Sequence, residues 1–218
     1  MSEENAEAKM PLLEHLVELR FRLMWSVASI IVLFVAVFPF AEHIYQFLVQ
    51  PLADVFEEIG GQRRLIFTAL HEAFFTYIKL SLITALFVAF PFISMQFWMF
   101  VAPGLYKQEK QALVPFLVAT PVLFFTGGAM VYYIVMPWAY EFLLNFELEG
   151  GPGTLAIVSE PKVNEYLSLS INLIFAFGIC FELPVVLTLL GRIGIVSSKG
   201  MKEKRKYAVL IAFIVAAV

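Results

Sequence analysis

The sequence predicts an all-α, polytopic membrane bundle of kinked helices, and three observations support this class. Of the 218 residues, 61% are hydrophobic and only 15% are charged, whereas soluble domains are about half apolar and a quarter charged. The charged residues lie in short clusters that separate long apolar runs. Several prolines lie inside those runs, where each removes a backbone donor and favours a kink: Pro91, Pro115, Pro121, Pro137 and Pro184. We therefore expect a single integral membrane domain over residues 1–218, with a concave shape.

The predicted spans are the runs without charged residues. About 20 apolar residues cross ~30 Å of hydrocarbon at ~1.5 Å per residue. Four runs have approximately that length or more, and only the last contains a charge: residues 23–41, 80–106, 111–140 and 166–191. A fifth run, residues 207–218, is still apolar where the sequence ends. We expect it to be an incomplete span of a longer protein.

The distribution of lysine and arginine predicts a cytoplasmic N-terminus. With that orientation, eleven of the 15 basic residues lie in inner segments, and the four outer ones are Arg63, Arg64, Lys79 and Lys162. Cytoplasmic loops of membrane proteins carry such an excess of basic residues.

The segment after the first span, residues 42–78, is predicted to cap the outer face. Its first part places apolar residues three and four positions apart, which is typical of an amphipathic helix: Ile44, Phe47, Leu48, Leu52, Val55, Phe56 and Ile59. We expect this helix to be kinked at Pro51. A second amphipathic stretch, Leu65–Ile78, leads into the second span. The alternative is a loop that lies on lipid headgroups.

The sequence contains no motif for a nucleotide, a metal or a catalytic centre. Neither GxxxxGK[ST] nor GxGxxG occurs. The three histidines lack ligand spacing, and Cys180 is the one cysteine. The net charge of −3 argues against a nucleic-acid partner. We expect a protein that is not an enzyme and that needs no cofactor.

Glu182 is the one charged residue inside a complete predicted span. A carboxylate at mid-bilayer costs ~2.5–3.5 kcal/mol on insertion scales, and such residues usually mark a pathway. Glu182 lies ten residues before Arg192, or about 15 Å along a helix. Gln96 lies eleven residues before Lys107, at a similar depth. We predict an intramembrane polar site of Gln96 and Glu182; the alternative is a bond that only joins two helices.

Two glutamates outside the spans are candidates for binding a cationic ligand. Glu14, Glu18 and Arg22 follow one another at four-residue spacing near the N-terminus, and Glu109 lies in a short inner loop. Spacing alone also fits a solvated helix start with intrahelical ion pairs, worth a few tenths of a kcal/mol each. The residues by themselves leave both interpretations open.

Four motifs, in order along the chain, resemble those of the TatC family. Residues 15–23 resemble the N-terminal motif HLxELRxRL, and residues 96–109 resemble the first cytoplasmic loop motif QxWxFxxPxLYxxE. Residues 177–184 resemble FGxxFExP, and residues 204–207 resemble the basic start of the fifth span. Together these motifs cover nearly the whole chain.

The resemblance implies a receptor subunit of the twin-arginine protein translocase in the cell inner membrane. Such a receptor binds the signal peptides of folded precursor proteins and works with single-span TatA- and TatB-type subunits. Transport in this family is driven by the protonmotive force. The alternative function is a small-solute or ion secondary transporter that uses Glu182 as its coupling carboxylate.

The resemblance also assigns roles to individual residues. It implies that Glu18 and Glu109 hold the two signal-peptide arginines, and that Arg20 and Phe100 support this recognition. It further implies that function is sensitive to substitution of Gln96, Glu182 and Pro51.

Overall fold

The computed structural model describes residues 12–60, 63–101, 107–148, 151, 153, 155 and 157–192. Six α-helices follow one another: α1 (Leu12–Val37), α2 (Ala41–Ile59), α3 (Glu72–Val101), α4 (Lys107–Met130), α5 (Met136–Leu144) and α6 (Val163–Arg192). In this part of the chain the only β-type pairings are two isolated bridges. The all-α class predicted from the sequence is confirmed. The fifth predicted span lies outside the described residues.

Four helical segments are long and apolar enough to cross a membrane: Glu14–Ile59, Glu72–Val101, Pro115–Leu144 and Val163–Leu189. They overlap the four complete spans predicted from the charge-free runs. The first segment is longer than predicted, because α1 continues into α2 through a short 3-10 turn, Phe38–Phe40. Pro39 lies in this turn, where its fixed φ and missing N–H allow the chain to change direction.

The segment that precedes α3 differs from the predicted second amphipathic stretch. Residues 63–71 are not helical, and Ile66 pairs with the chain just before α6 through two backbone hydrogen bonds. Helix α3 begins only at Glu72, whose carboxylate accepts the backbone N–H groups of Thr68 and Ala69. These bonds join the chain just before α3 to the first residue of the helix, in the manner of a capping-box glutamate that reaches back to preceding N–H groups.

A π-helical segment, Val131–Val135, joins α4 to α5. Pro137 lies two residues after its end, in the first turn of α5. A proline lacks the N–H that would bond the carbonyl four residues earlier, and its ring collides with that carbonyl in a regular α-helix. The wider π turn accommodates both effects, so α4 and α5 form one interrupted span.

Helices α4 and α6 approach each other at glycines. A Cβ atom added to Gly127 would lie 2.8 Å from the Phe177 carbonyl oxygen and 3.0 Å from the Gly178 Cα atom. These distances are shorter than side-chain contacts normally allow, so the two backbones touch only because both positions lack a side chain. Small residues at this seam therefore fix the spacing of the two spans.

Candidate functional site

Three polar side chains connect the N-terminal part of α1 to the C-terminal end of α3. Arg22 Nη2 donates to Glu18 Oε1 at 3.1 Å, across one helical turn. Arg22 Nη1 donates to Gln96 Oε1 at 3.3 Å and lies 3.4 Å from Met99 Sδ. The guanidinium group of Arg22 is thus held by both helices. We call Glu18, Arg22 and Gln96 the α1–α3 polar cluster.

An aromatic contact closes the same end of the α1–α3 interface. The His15 and Phe100 rings stack with their centroids 4.2 Å apart and an interplanar angle of 16°. His15 lies about one turn before Glu18, and Phe100 lies about one turn after Gln96. This stack orients the turn of α1 that carries Glu18.

The α1–α3 polar cluster is partly buried and incompletely paired. The side chains of Glu18 and Arg22 are 18% and 26% exposed. Glu18 Oε2 and Arg22 Nε are buried, and neither has a hydrogen-bond partner among the described residues. A buried polar atom without a partner costs about 1–3 kcal/mol. A ligand that supplied hydrogen-bond partners to Glu18 Oε2 or Arg22 Nε would therefore gain binding free energy.

The remaining predicted recognition residues are placed as follows. Arg20 is exposed on α1 and has no polar partner within the described part of the chain. Phe100 contributes to the stack with His15. Glu109 belongs to the first turn of α4, and its side chain lies outside the described residues.

Glu182 does not bond to Gln96, which corrects the pairing predicted from their depths. Gln96 accepts from Arg22, whereas Glu182 on α6 interacts with the Thr120 hydroxyl on α4. That hydroxyl also accepts Trp98 Nε1 at 3.2 Å. Gln96 and Trp98 are two positions apart on α3, so their directions differ by about 200°. The side of α3 that faces α4 is therefore not the side that carries Gln96.

The environment of Glu182 still has the character of a polar site inside the bundle. Its Oε1 atom is buried and has no hydrogen-bond partner among the described residues. Trp98 also belongs to a small buried cluster with Phe116, Val185 and Leu189. Glu182 thus lies beside an apolar cluster and keeps one free acceptor atom.

Pro51 has a local structural reason for its position in α2. It is buried inside the helix and cannot donate an N–H to the Phe47 carbonyl four residues earlier. Tyr132 OH donates to that carbonyl at 2.7 Å. The rings of Tyr132 and Phe47 also stack, with centroids 4.4 Å apart. Tyr166 OH donates to the next carbonyl, of Leu48, also at 2.7 Å. The proline therefore exposes an acceptor that attaches α2 to the rest of the bundle.

A separate apolar cavity of about 530 Å³ lies between α2, α3, α4, the π segment and α6. Aromatic and aliphatic residues line it, including Phe47, Phe87 and Phe175. Glu182 and Gln96 are not among the lining residues. The cavity is thus distinct from both polar sites. The described residues contain no group of three potential metal ligands.

Sequence reasoning missed two polar partners. An ion pair of Arg22 with Glu18 within α1 was one of the two interpretations left open, but the bond of Arg22 to Gln96 across helices was not expected. Thr120 was not considered at all. A hydroxyl residue inside an apolar run is a weak signal, because it usually bonds to its own helix backbone. That Thr120 on α4 lies next to Glu182 on α6 is visible only in the tertiary structure.

The fold and its polar groups define a multi-pass α-helical membrane protein with a charged cluster at one end of its first interhelical contact. The family model described as TatC, Sec-independent protein translocase protein, matches residues 14–218. The chain belongs to this family and is thus a component of the twin-arginine protein translocase.

Individual relatives agree with this assignment. The TatC protein of Magnetococcus marinus is 50% identical over 214 residues, which cover 98% of this chain and 76% of the relative. The TatC protein of Rickettsia prowazekii is 42% identical over 207 residues, or 94% of this chain and 80% of the relative.

The fold also matches a solved structure described as the twin-arginine translocase receptor TatC. The two folds superpose with a TM-score of 0.78 at 36% sequence identity. The match covers 93% of this chain and 86% of the solved chain. The six-helix arrangement is therefore that of the family.

Proposed function

We propose that this chain is the receptor subunit that binds the twin-arginine signal peptides of folded precursor proteins. The observation that carries the proposal is the contact of Glu18 with a guanidinium group. Within the chain that group belongs to Arg22, at 3.1 Å and partly buried. A carboxylate that already accepts one guanidinium group has the chemistry to accept the arginine of a ligand.

Glu109 provides the second carboxylate in this proposal. Two arginines need two acceptors, and guanidinium–carboxylate pairs are charge-assisted and can be bidentate. Lysine fits such a site poorly because an ammonium group lacks the planar fork. Arg20 and Phe100 support recognition from α1 and from the stack with His15.

The orientation that we propose places the N-terminus in the cytoplasm and the protein in the cell inner membrane. The eleven-to-four distribution of basic residues supports it. Precursors are synthesised in the cytoplasm, so both carboxylates then face the side from which signal peptides arrive. Single-span TatA- and TatB-type subunits are the proposed partners, and the protonmotive force is the proposed energy source.

The name of the family and the polar cluster at the helix end favour this function over a solute transporter. A solute transporter would depend mainly on the intramembrane Glu182. The relatives reported above are all translocase proteins. We therefore do not propose the transporter.

The test measures the binding of a twin-arginine signal peptide, and of its twin-lysine version, to inside-out vesicles. Glu18→Ala and Glu109→Ala should each weaken twin-arginine binding by about 1.5–3 kcal/mol, the scale of a hydrogen bond to a charged group. Glu109→Gln should lose much of the same binding free energy, because the amide has no charge. Right-side-out vesicles should not bind, because they hide both carboxylates.

Glu14→Ala is the matched control. Glu14 is exposed one turn before Glu18 and has no ion pair among the described residues. The Glu14→Ala substitution removes the same charge from the same helix and should leave the affinity for the twin-arginine peptide nearly unchanged. Unchanged affinity in both Glu18→Ala and Glu109→Ala would reject the assignment of these residues.

A further inference from the structure

We infer that Arg22 is an internal competitor of the ligand: its guanidinium group occupies Glu18 until a ligand guanidinium group replaces it. The inference rests on the proposed function and deepens it. It concerns what the receptor must release before it binds.

Neither carboxylate oxygen of Glu18 is open to a ligand in the present arrangement. Oε1 accepts Arg22 Nη2 at 3.1 Å. Oε2 is buried and has no partner within the described part of the chain. Only 18% of the Glu18 side chain is exposed. Binding of a ligand arginine to Glu18 therefore requires the carboxylate to turn away from Arg22.

Arg22 has contacts that remain after Glu18 leaves. Nη1 donates to Gln96 Oε1 at 3.3 Å and lies 3.4 Å from Met99 Sδ, both on α3. The cation thus keeps a hydrogen bond on the neighbouring helix when Glu18 turns outward. This gives Gln96 a function that depth along α3 did not suggest: it holds the displaced arginine.

The contact between Arg22 and Glu18 is also weak enough for a ligand to replace it. Arg22 Nε and Glu18 Oε2 are both buried without a described partner, so the pair does not reach the bidentate geometry of the strongest arginine–carboxylate contacts. A ligand that satisfies the Glu18 oxygens in full gains hydrogen bonds that the internal pair lacks. The internal pair therefore leaves hydrogen-bonding capacity on Glu18 that a ligand can use.

The Glu18 carboxylate itself distinguishes arginine from lysine in the ligand. A guanidinium group replaces a guanidinium group, so a ligand arginine recovers what Glu18 loses. A ligand lysine offers a single ammonium group and does not reproduce the fork. The cost of displacing Arg22 is the same for both ligands, so Arg22 lowers the affinity of every cation by one common factor.

The experiment measures the affinity of twin-arginine and twin-lysine signal peptides for Arg22→Lys and Arg22→Gln in inside-out vesicles. Both variants should bind the twin-arginine peptide more tightly than the unmodified protein. We expect roughly two- to threefold for Arg22→Lys and three- to tenfold for Arg22→Gln, the range of one partly exposed ion pair. The twin-lysine peptide should gain by the same factor, so the preference for arginine should stay unchanged.

Arg22→Lys separates the internal competitor from simple charge repulsion, because it keeps the positive charge. Tighter binding by Arg22→Gln alone, with Arg22→Lys equal to the unmodified protein, would overturn the inference. Weaker binding by both variants would also overturn it, because Arg22 would then contact or support the ligand. If Arg22→Gln does not fold, Arg22→Lys alone decides. Failure of the proposed function is recognised separately, as equal binding of the two peptides by the unmodified protein.

Discussion

Buried polar groups are hydrogen-bonded to different extents in two regions of the molecule. The regions are the α1–α3 contact and the buried core between α2, α5 and α6. In the core, the hydroxyls of Tyr132 and Tyr166 donate to backbone carbonyls of α2, and Tyr140 OH lies 2.6 Å from Ser170 Oγ. At the α1–α3 contact, Glu18 Oε2 and Arg22 Nε are buried without a described partner. The core satisfies its polar groups, and the contact leaves some of them unpaired.

The difference follows from the number of helices that surround each region. The core cluster draws residues from α2, α3, the π segment, α5 and α6. Most of α1 is exposed, and Ser26 is its one buried residue among those described. Charged groups between only two helices can change partners with little repacking, whereas groups inside a multi-helix core cannot. We conclude that the core maintains the fold and the α1–α3 contact is free to respond to a ligand.

The largest effect is expected at Glu182, which belongs to neither region. We predict that Glu182→Ala lowers protein export at least about tenfold and leaves signal-peptide binding within about twofold of the unmodified protein. One buried bond to a charged group is of this energetic scale. The reason is position: Glu182 interacts with Thr120 inside the bundle, whereas Glu18, the proposed recognition residue, lies at the α1–α3 contact.

Export and peptide binding should be measured in the same membranes. Glu182→Gln should retain more export than Glu182→Ala, because the amide still offers an acceptor to Thr120. Glu141→Gln, on the exposed side of α5, is the control acid. If Glu182→Ala reduces binding as much as export, Glu182 belongs to the recognition site and the division between the regions is wrong.

The next effect concerns the seam between α4 and α6. Gly127→Ala should lower the free energy of unfolding by about 1–3 kcal/mol, the usual cost of overpacking. The added methyl group would meet the Phe177 carbonyl at 2.8 Å, and a backbone cannot move aside as a side chain can. The measurement is thermal unfolding of the detergent-solubilised protein.

The neighbouring glycine is a matched control for this seam. A Cβ atom at Gly128 would first meet the end of the Phe87 ring, at 3.0 Å, and the far end of a side chain can shift by a few tenths of an ångström where a backbone cannot. Alanine is also a better helix former than glycine by about 1 kcal/mol. Gly128→Ala should therefore be close to neutral. Equal destabilisation by both substitutions would show that backbone contact does not set the spacing of α4 and α6.

The smallest effect tests how the core holds α2. Tyr132→Phe should cost about 1 kcal/mol of stability, because the Phe47 carbonyl then loses its donor. In a Pro51→Ala background the restored N–H can bond that carbonyl, so Tyr132→Phe should cost less there. Tyr133→Phe is the control, since Tyr133 is exposed and has no hydrogen bond among the described residues. Additive effects of Pro51→Ala and Tyr132→Phe would contradict this explanation.

The sequence alone determined the class of the protein, the four spans within the described residues and the amphipathic second helix. These features depend on hydropathy and on periodicity, which are properties of neighbours along the chain. The motifs also indicated Glu18, Glu109 and Glu182 as candidates. The pairing of Glu18 with Arg22 could be predicted as well, because a separation of four residues places both on one helical face.

The partners of the other polar groups were decided only by the tertiary structure. Arg22 and Gln96 are 74 positions apart, and Tyr132 and Phe47 are 85 apart. Which side chains meet across two helices depends on the rotation and the axial shift of each helix, and a displacement of one residue turns a side chain by about 100°. Depth along the helices suggested that Gln96 and Glu182 would pair. Rotation of α3 instead directs Gln96 to α1 and Trp98 to Thr120, and no local pattern records that rotation because it is set by packing against all neighbouring helices at once.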